Sequence, residues 1–385
     1  MKTCAQFAQR LSPTCTLRFS GFPFRKLLFA AGVLLLMCSG RVVAQDRDHD
    51  RNDSNAPFLP SPVRSVSTVP SNGDVNPYGV AFVPRGFPTG TVQPGDILVS
   101  NFNNNQNLQG TGTTIMRIPA SGSPSVFFQG VAPLGLSTAL DILRQGFVLV
   151  GNFPSADGTC GTAQPGSILI INSSGQQIGS IVDPSFINGP WDSALLDEGD
   201  HAKLFVANGL TGTVVRLNLR VSGTGVSVDS ARQIASGYGF QCDPVTFVDA
   251  PTGLVYDPRI DVLYVASTVD NAVYAVHDAG DRTHDGGKGR LIYTDAVHLH
   301  GPLAMAMAPN GHLLVSNNDA INSDPNQPSE IVEFTVQGQF IKQISVDPAQ
   351  GGSFGLAVTT KGDVATFAAV DDNASVLLIW TLQLP

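Results

Sequence analysis

The sequence has few charged residues, few cysteines and almost no helical periodicity. Only 14% of its 385 residues are Asp, Glu, Lys or Arg, and the formal net charge is −9. This acidic balance disfavours nucleic acid as a partner, because negative charges repel a phosphate backbone. After residue 40 no apolar run is long enough to span a bilayer. We therefore expect a mature chain without a membrane span.

The amino-terminal segment has the pattern of a secretory signal peptide. A basic leader precedes the apolar run LLFAAGVLLLMCSG (27–40), and Val42 and Ala44 are the small residues typical of a cleavage site after Ala44. We expect residues 1–44 to be removed and the protein to be secreted or periplasmic; the alternative is an uncleaved membrane anchor. Cleavage would remove six basic residues and no acidic ones, which changes the net charge from −9 to −15. Residues 45–60, which begin with QDRDHDRND, are predicted to form a disordered acidic linker.

An internal repeat with a period near fifty residues occupies the rest of the chain. Its anchor reads Pro-x-small-apolar, with SFGL as a variant in the last repeat. The third anchor residues are Gly79, Gly135, Asp192, Gly253, Ala304 and Gly355, spaced by 56, 57, 61, 51 and 51 residues. A period of this length, held six times, indicates a repeat architecture.

Each repeat contains short apolar runs that we name strands A to D. Strand B, for example, reads DILVSN in the first repeat and HLLVSN in the fifth. Runs rich in Val, Ile, Leu, Tyr and Phe that are separated by Gly, Asn, Asp and Pro are typical of β-strands. Four antiparallel strands per repeat and six repeats predict an all-β, six-bladed β-propeller over residues 61–385, in which each sheet is buried on both faces.

The two ends of the repeat region are expected to complete one blade together. The sixth repeat ends without a fourth strand, whereas PVRSVSTVP (62–70) precedes the first anchor and has no repeat of its own. We predict that this amino-terminal strand closes the last blade, because closure removes the exposed strand edges of an open array. The anchor residues are small because strand A lines a narrow channel where a Cβ is crowded.

The anchor and strand pattern P-x-G-(V/L)-A followed by G-x-(I/L)-x-V-(A/S)-N resembles NHL-repeat proteins. It is also similar to the wider superfamily of six-bladed propellers that includes TolB-like and senescence-marker/gluconolactonase-like proteins. The resemblance covers about residues 62–385. It implies the fold more strongly than an activity, because such propellers serve as lactonases, other hydrolases, protein-binding scaffolds and sugar sensors. In these relatives the start of strand A, the end of strand B and the B–C loops share one face, which is the binding face.

The resemblance places the candidate ligand-binding residues on that face. They are Tyr78 and Trp191 in the anchors and Asn101, Asn152, Asn208, Thr268 and Asn317 at the ends of strand B. Lactonase-like relatives hold one divalent cation there, so Asp192 with Asn208 is the candidate metal site, and calcium would suit these oxygen ligands. The glutamate that the metal-binding relatives carry has no clear match. The alternative is that Asp192 hydrogen-bonds backbone amides and that the asparagines cap turns.

Two further pairs are candidates for the same face. HLHGP (298–302) places His298 and His300 on one side if the segment is a strand, and His300 is a candidate catalytic residue beside Asp192. Two histidines without a third ligand are weak evidence for zinc, so a surface or hydrogen-bonded role is the alternative. Cys160 and Cys242, the cysteines left after cleavage, both lie in loops of this face and are predicted to form a disulfide. Two free thiols are the other possibility.

Two functions are compatible with these patterns. The first is a monomeric, non-enzymatic binding module without a confident cofactor, whose ligand is a protein, peptide or glycan. The long polar B–C loops of repeats one, two and five favour it. The alternative is a divalent-metal-dependent, lactonase-like hydrolase that uses Asp192 and His300.

Overall fold

The computed structural model describes residues 56–60 and 64–384 of the chain. Within these residues it shows six four-stranded antiparallel sheets, which confirms the six-bladed propeller. The predicted signal peptide (1–44) and residues 45–55 of the predicted linker lie outside the described residues. No helix of the described part is both long and apolar enough to cross a membrane.

In blades 1 to 5 the strands follow the chain order A to D, whereas in blade 6 strands A to C are the last three strands of the chain and strand D is the first. The amino-terminal strand and those of blades 1 and 2 are β1 (Arg64–Ser67), β2 (Val75–Phe82), β3 (Ile97–Asn103), β4 (Thr114–Ile118), β5 (Ser125–Gln129), β6 (Leu136–Leu143), β7 (Phe147–Asn152), β8 (Ser167–Asn172) and β9 (Gln177–Ile181). Those of blade 3 and the following hairpin are β10 (Pro190–Asp197), β11 (His201–Asn208), β12 (Thr213–Ser222), β13 (Gly225–Ala235), β14 (Gln241–Asp243) and β15 (Phe247–Asp249). Those of blades 4 to 6 are β16 (Pro251–Asp257), β17 (Val262–Ser267), β18 (Ala272–His277), β19 (Arg290–Thr294), β20 (Pro302–Met307), β21 (Leu313–Asn317), β22 (Glu330–Phe334), β23 (Phe340–Ser345), β24 (Ser353–Lys361), β25 (Val364–Asp371) and β26 (Val376–Gln383). A short 3₁₀ helix covers Cys160–Thr162.

The amino-terminal strand closes the ring as predicted. β1 pairs antiparallel with β26, so that Val66 lies opposite Leu377. Thr68 extends this contact, since its backbone N–H and its hydroxyl both donate to the carbonyl of Ser375. The Arg64 guanidinium donates to the carbonyl of Pro119 in blade 1, at 3.3 Å. The last blade is thus built from both ends of the propeller.

The segment before β1 packs on the ring, although the sequence assigns residues 56–60 to a disordered linker. The backbone N–H groups of Phe58 and Leu59 donate to the Glu333 carboxylate at 2.8–3.0 Å. Leu59 is buried, and the Phe58 ring packs edge-on against Phe367. We call residues 56–60 the strap. Its two apolar side chains explain why this part of the acidic linker does not remain solvated.

Apolar side chains fill the spaces between neighbouring blades, which is where a propeller places its core. One cluster joins blades 1 and 2, and it includes Leu98, Ile115, Val148 and Ile171. The equivalent clusters follow between blades 2 and 3, 3 and 4, 4 and 5, and 5 and 6. Because each sheet is buried on both faces, strand B is apolar throughout rather than alternating.

The anchor positions are small where the backbone of the next blade comes close. A Cβ added at Gly355 would lie 1.8 Å from the Tyr78 carbonyl oxygen, and one at Gly253 would lie 2.5 Å from that of Leu303. Gly135 differs from the other anchors: it precedes β6, and its φ of 63° is in the left-handed region. In blade 2 the position equivalent to Gly79 is Ala139. Leu140, which follows Ala139, pairs with Val150 in the same way that Val80, which follows Gly79, pairs with Val99 in blade 1.

Candidate functional site

The face of the propeller where strand A begins and strand B ends carries most of the candidate residues; we call it the ring face. In blades 2 to 6 the last strand B residues that pair with strand A are Asn152, Asn208, Ser267, Asn317 and Asp371. In blade 1 Asn101 pairs with Pro77, and β3 continues to a last pair between Asn103 and Val75. Thr268, expected at this position in blade 4, lies one residue beyond it. Asp371 was missed because the apolar run of β25 continues past DVATFA to Val370. Counting the full run VATFAAV would have found it.

The asparagines of blades 1 to 3 contact the connections that enter their blades and the first residues of strand C. The Asn101 amide donates to the Thr68 carbonyl and to the Thr114 hydroxyl, both at 3.1 Å. The Asn208 side chain accepts from the Asn188 backbone N–H and donates to the Phe186 carbonyl. Asn152 accepts from the Ser167 hydroxyl at 2.5 Å. These contacts are the turn-capping role that the sequence left as an alternative.

Asp192 lies in the central channel rather than among the ring-face asparagines. Its Oδ2 accepts from the Leu254 backbone N–H at 2.8 Å, and burial raises its pKa to about 8. It lines a channel cavity of about 500 Å³ together with Asp141, whose pKa burial raises to about 6. Ser193 donates its hydroxyl to Asp141 at 2.5 Å.

The cation site expected from the resemblance does not fit these residues. The Asn208 amide is used by loop contacts on both of its polar atoms, and Asp192 is held by a backbone amide of the neighbouring blade. We assign no metal to Asp192 and Asn208.

Tyr78 and Trp191 belong to a buried aromatic cluster between the channel cavity and the ring face. The cluster contains Tyr78, Phe102, Phe153, Trp191, Phe247 and Phe354. Tyr78 stacks on Phe102 and on Phe354 with ring centroids 4.8 and 4.6 Å apart. Trp191 is completely buried and stacks on Phe247. Trp191 therefore serves packing, whereas Tyr78 also lines a cleft above the cluster.

A disulfide joins two loops of the ring face, as the sequence suggested for Cys160 and Cys242. Cys242 lies in β14, so the bond ties the hairpin β14–β15 to the B–C loop of blade 2. The Gln109 amide donates to the Val245 carbonyl in the turn of this hairpin, at 3.0 Å. The hairpin and the B–C loop of blade 1, which carries Gln109, form one wall of the cleft above the aromatic cluster.

This ring-face cleft has a volume of about 230 Å³ and a wall rich in amide side chains. It is lined by Asn76, Tyr78, Asn103, Asn107, Gln109, Val245, Thr246, Asn318, Gln350, Gly351, Phe354, Asp372 and Asn373. The side-chain oxygens of Asn76 and Asn103 are buried and have no hydrogen-bond partner. Buried polar atoms are nearly always partnered, so these two oxygens are free to accept from a bound molecule.

Asp372 gives the ring-face cleft a titratable group. Burial, and then the neighbouring charge of Asp371, raise its pKa to about 8. Burial also raises the pKa of Asp371, which accepts from the Ala374 backbone N–H. The Tyr78 hydroxyl is buried beside the Asn76 side chain, and its pKa is raised in turn, by burial and by Asp372. A perturbed carboxyl in a cleft is a candidate acid–base group.

His298 and His300 do not share a site. The segment that carries them is a turn before β20 rather than a strand, so their side chains diverge. The His298 ring stacks on Phe340 and its Nδ1 lies 2.5 Å from Asp295 Oδ2. His300 is buried and its Nδ1 lies 3.1 Å from Glu330 Oε1. Of the two, only His300 points into the interior of blade 5.

His300 belongs to a cluster of potential metal ligands on the ring-face side of blade 5. His300, Asp319 and Glu330 each offer a ligand atom, and these atoms lie within 4.8 Å of one another; we call them the His300 cluster. Asp319 is in the B–C loop and Glu330 is the first residue of β22. The Asn317 amide donates to Glu330 at 3.2 Å. Sequence reasoning missed both carboxylates.

The His300 cluster adjoins the ring-face cleft. Asp319 Oδ2 accepts from the backbone N–H of Gly351, a residue of the cleft wall, at 2.8 Å. Asn318, which precedes Asp319, lines the cleft as well. Asp192 has no place in this arrangement, and the pairing of Asp192 with His300 in one catalytic site is therefore not what the structure shows.

Comparison with known proteins bears on the fold. No protein-family model and no curated protein matches the chain. Among solved structures it is similar to a gluconolactonase from Xanthomonas campestris, with 14% identity, a TM-score of 0.49, and coverage of 86% of this chain and 99% of the other. The six-bladed fold itself is shown by the six four-stranded sheets of the described residues. A calcium-binding regucalcin from Agrobacterium tumefaciens gives 13% identity, a TM-score of 0.48 and coverage of 85% and 98%. A catalytically inactive virginiamycin B lyase from Staphylococcus aureus, solved with quinupristin, has 12% identity and a TM-score of 0.45. The match covers 83% of this chain and 99% of the lyase.

Proposed function

We propose that the protein is a hydrolase that binds a small, hydroxyl-rich ester or lactone in the ring-face cleft. The observation that carries this proposal is the pairing of a carboxyl of raised pKa, Asp372, with two buried amide oxygens that lack partners, those of Asn76 and Asn103. The volume of the cleft suits a molecule of the size of a monosaccharide. The proposal keeps the lactone substrate of the alternative that the sequence suggested, but it replaces the metal ion, Asp192 and His300 of that alternative with Asp372.

The amide side chains of the cleft account for the proposed substrate class. An amide presents a donor and an acceptor together, as a hydroxyl group does, and it carries no charge that would select an ion. Asn76 and Asn103 offer their unpartnered oxygens to substrate hydroxyl groups, and Phe354 and Tyr78 form an apolar floor. A neutral, polyhydroxylated molecule with one apolar face matches this lining.

Asp372 supplies the proton transfer in this proposal. With a pKa of about 8 it is protonated at neutral pH. It donates its proton to the alkoxide oxygen that leaves the acyl carbon, and it recovers a proton from the water that adds to that carbon, so the group ends unchanged. A general acid is most useful when its pKa lies near the working pH. No step uses a metal ion.

Binding without turnover is the second candidate function. It is favoured by the seven amide side chains of the cleft wall and by the B–C loops of blades 1, 2 and 5, which are long and polar. Loops of this kind on a rigid scaffold commonly carry binding specificity. The secreted or periplasmic location inferred from residues 1–44 is part of either proposal.

Replacement of Asp372 by Asn should separate the two candidates. Hydrolysis of a panel of hydroxylated five- and six-membered lactones, followed with a pH indicator, is expected to lose about 10²- to 10⁴-fold in kcat while KM changes little. The wild-type rate should fall as the pH rises through about 8, because Asp372 then loses its proton. Asn103→Ala is the matched control, and it should raise KM more than it lowers kcat. Unchanged turnover in Asp372→Asn contradicts the hydrolase; binding of the lactones without turnover in the wild type favours the second candidate.

A further inference from the structure

We propose that the His300 cluster is a binding site for one divalent transition-metal ion, with zinc as the ion that fits best. The site goes beyond the proposed hydrolase, since neither the cleft's ligand nor Asp372 is needed for it. Its ligands come from three separate elements of blade 5: the turn before β20 (His300), the B–C loop (Asp319) and the first residue of β22 (Glu330).

The charge balance of the cluster is the first argument. His300 and Glu330 are almost completely buried, and Asp319 is partly buried. Among the described residues, the ion pairs give Glu330 no cationic partner except His300, and they give Asp319 none. Two carboxylates and one imidazole brought together without Lys or Arg are stabilised by a cation that binds between them.

The unused oxygen atoms are the second argument. Asp319 Oδ2 accepts from the backbone N–H groups of Ser329 and Gly351, at 2.9 and 2.8 Å. Its Oδ1 is buried and has no hydrogen-bond partner. The Asn317 side chain, fully buried beside Glu330, also has an unpartnered oxygen. Such orphaned oxygens in a native interior call for a partner that the protein itself does not supply.

A second His–Glu pair in the same blade shows what a purely structural pair looks like. His312 Nδ1 lies 2.6 Å from Glu333 Oε1, close to the opposite face of the propeller. The Glu333 carboxylate is saturated, because it also accepts from the backbone N–H groups of Phe58 and Leu59 in the strap. No third carboxylate of the described chain joins it within ligand distance. The His300 cluster differs in having that third group and in leaving oxygens unpartnered.

The ligand types select the metal. One imidazole nitrogen with two carboxylate oxygens suits zinc and other first-row divalent ions, whereas calcium and magnesium prefer oxygen ligands alone. Ligands lie about 2.0–2.2 Å from zinc in a tetrahedral arrangement, so two ligand atoms of one ion are about 3.4 Å apart. The ligand atoms of the cluster lie within 4.8 Å of one another, so they approach one another by up to about 1.4 Å when they bind one ion, which rotation of the side chains can supply. Because the carboxylates must be deprotonated, binding should weaken as the pH falls.

Calorimetric titration of the chelator-treated, untagged full-length chain with zinc chloride tests the site without any substrate. We expect one equivalent of zinc, a higher melting temperature with zinc, and much weaker binding of calcium and magnesium. Asp319→Asn should lower the zinc affinity about tenfold or more. Asn tolerates the left-handed backbone of position 319 (φ 60°) and can still accept both backbone N–H groups, so this variant should fold. Glu330→Gln should act in the same way.

His298→Gln is the matched control for adventitious binding. His298 is two residues from His300, is partly exposed and pairs with Asp295 outside the cluster. Its loss should leave the stoichiometry and affinity for zinc unchanged. The proposal is overturned if zinc gives neither heat nor a thermal shift, if Asp319→Asn and Glu330→Gln bind like the wild type, if His298→Gln removes binding, or if calcium binds as tightly as zinc. None of these results depends on whether the cleft hydrolyses a lactone.

Discussion

A chain that begins at Ser71 is expected not to fold into a cooperative structure, because it lacks the strand that closes the ring. Removing β1 exposes the edge of β26 from Val376 to Ile379, with which all four residues of β1 pair. It also removes the Thr68 contacts with Ser375 and the contact of Arg64 with blade 1. An open sheet edge promotes aggregation. We expect insoluble protein, or protein without a sharp thermal transition by circular dichroism.

Two longer chains separate the closing strand from the strap. A chain that begins at Ala56 retains both and should melt like the full-length protein. A chain that begins at Arg64 loses only the strap, and with it the burial of Phe58 and Leu59. Two such side chains are worth about 3 kcal/mol or more, so for a folded region of this size we expect a melting temperature lower by about 4 °C or more. A soluble, cooperatively folding chain from Ser71 would show that β1 does not close the ring.

Asp192→Asn is expected to stabilise the protein at pH 8 and to have little effect at pH 4. The pKa of Asp192 is about 8 in the folded protein, against an ordinary value of 3.8. The folded state therefore holds this proton more tightly than the unfolded chain, and the contribution of Asp192 to stability is largest at low pH. Between about pH 4 and pH 8 the unfolded chain has released the proton while the folded one keeps it. Each pH unit in that window lowers the free energy of unfolding by up to about 1.4 kcal/mol for this group.

Melting temperatures of the wild type and the variant measured from pH 4 to pH 8 check this expectation. The asparagine side chain of the variant has no proton to lose and can still accept from the Leu254 N–H, so the variant should gain several degrees relative to the wild type as the pH rises. Asp363→Asn, at an exposed turn between β24 and β25, is the control and should leave the wild-type profile unchanged. A constant difference across the pH range would mean that Asp192 is not held protonated.

The fold was predictable from local patterns, and the site was not. Three sequence features predict the fold: the short apolar runs, the spacing of Gly79, Gly253 and Gly355, and the missing last strand. Each of them reflects contacts between residues close in the chain or between neighbouring blades. They suffice for six blades and for their closure. The sequence did not predict that Ala139 replaces Gly135 at the anchor position of blade 2. A glycine with a left-handed backbone before β6 and a glycine within a strand are the same letter in the sequence.

The His300 cluster depends on contacts that sequence spacing does not reveal. Asp319 and Glu330 follow His300 by 19 and 30 residues, and the path of a long loop brings them together. The ring-face cleft is lined by residues of blades 1, 5 and 6 and of the hairpin β14–β15, which the disulfide links to blade 2. The prediction that Asp192 lies on the ring face failed for a related reason. Asp192 does occupy an anchor of strand A, but the anchor residues at that level face the channel cavity.

A direct comparison of Asp372→Asn with Asp192→Asn in the lactone hydrolysis assay tests most directly whether the chemistry lies on the ring face. Both carboxyl groups have a pKa of about 8, but one lines the ring-face cleft and the other lines the channel cavity. We predict that Asp372→Asn loses turnover, together with the fall in rate near pH 8, while Asp192→Asn retains both. Loss of turnover in Asp192→Asn with a fully active Asp372→Asn would contradict the account and move the active site into the channel.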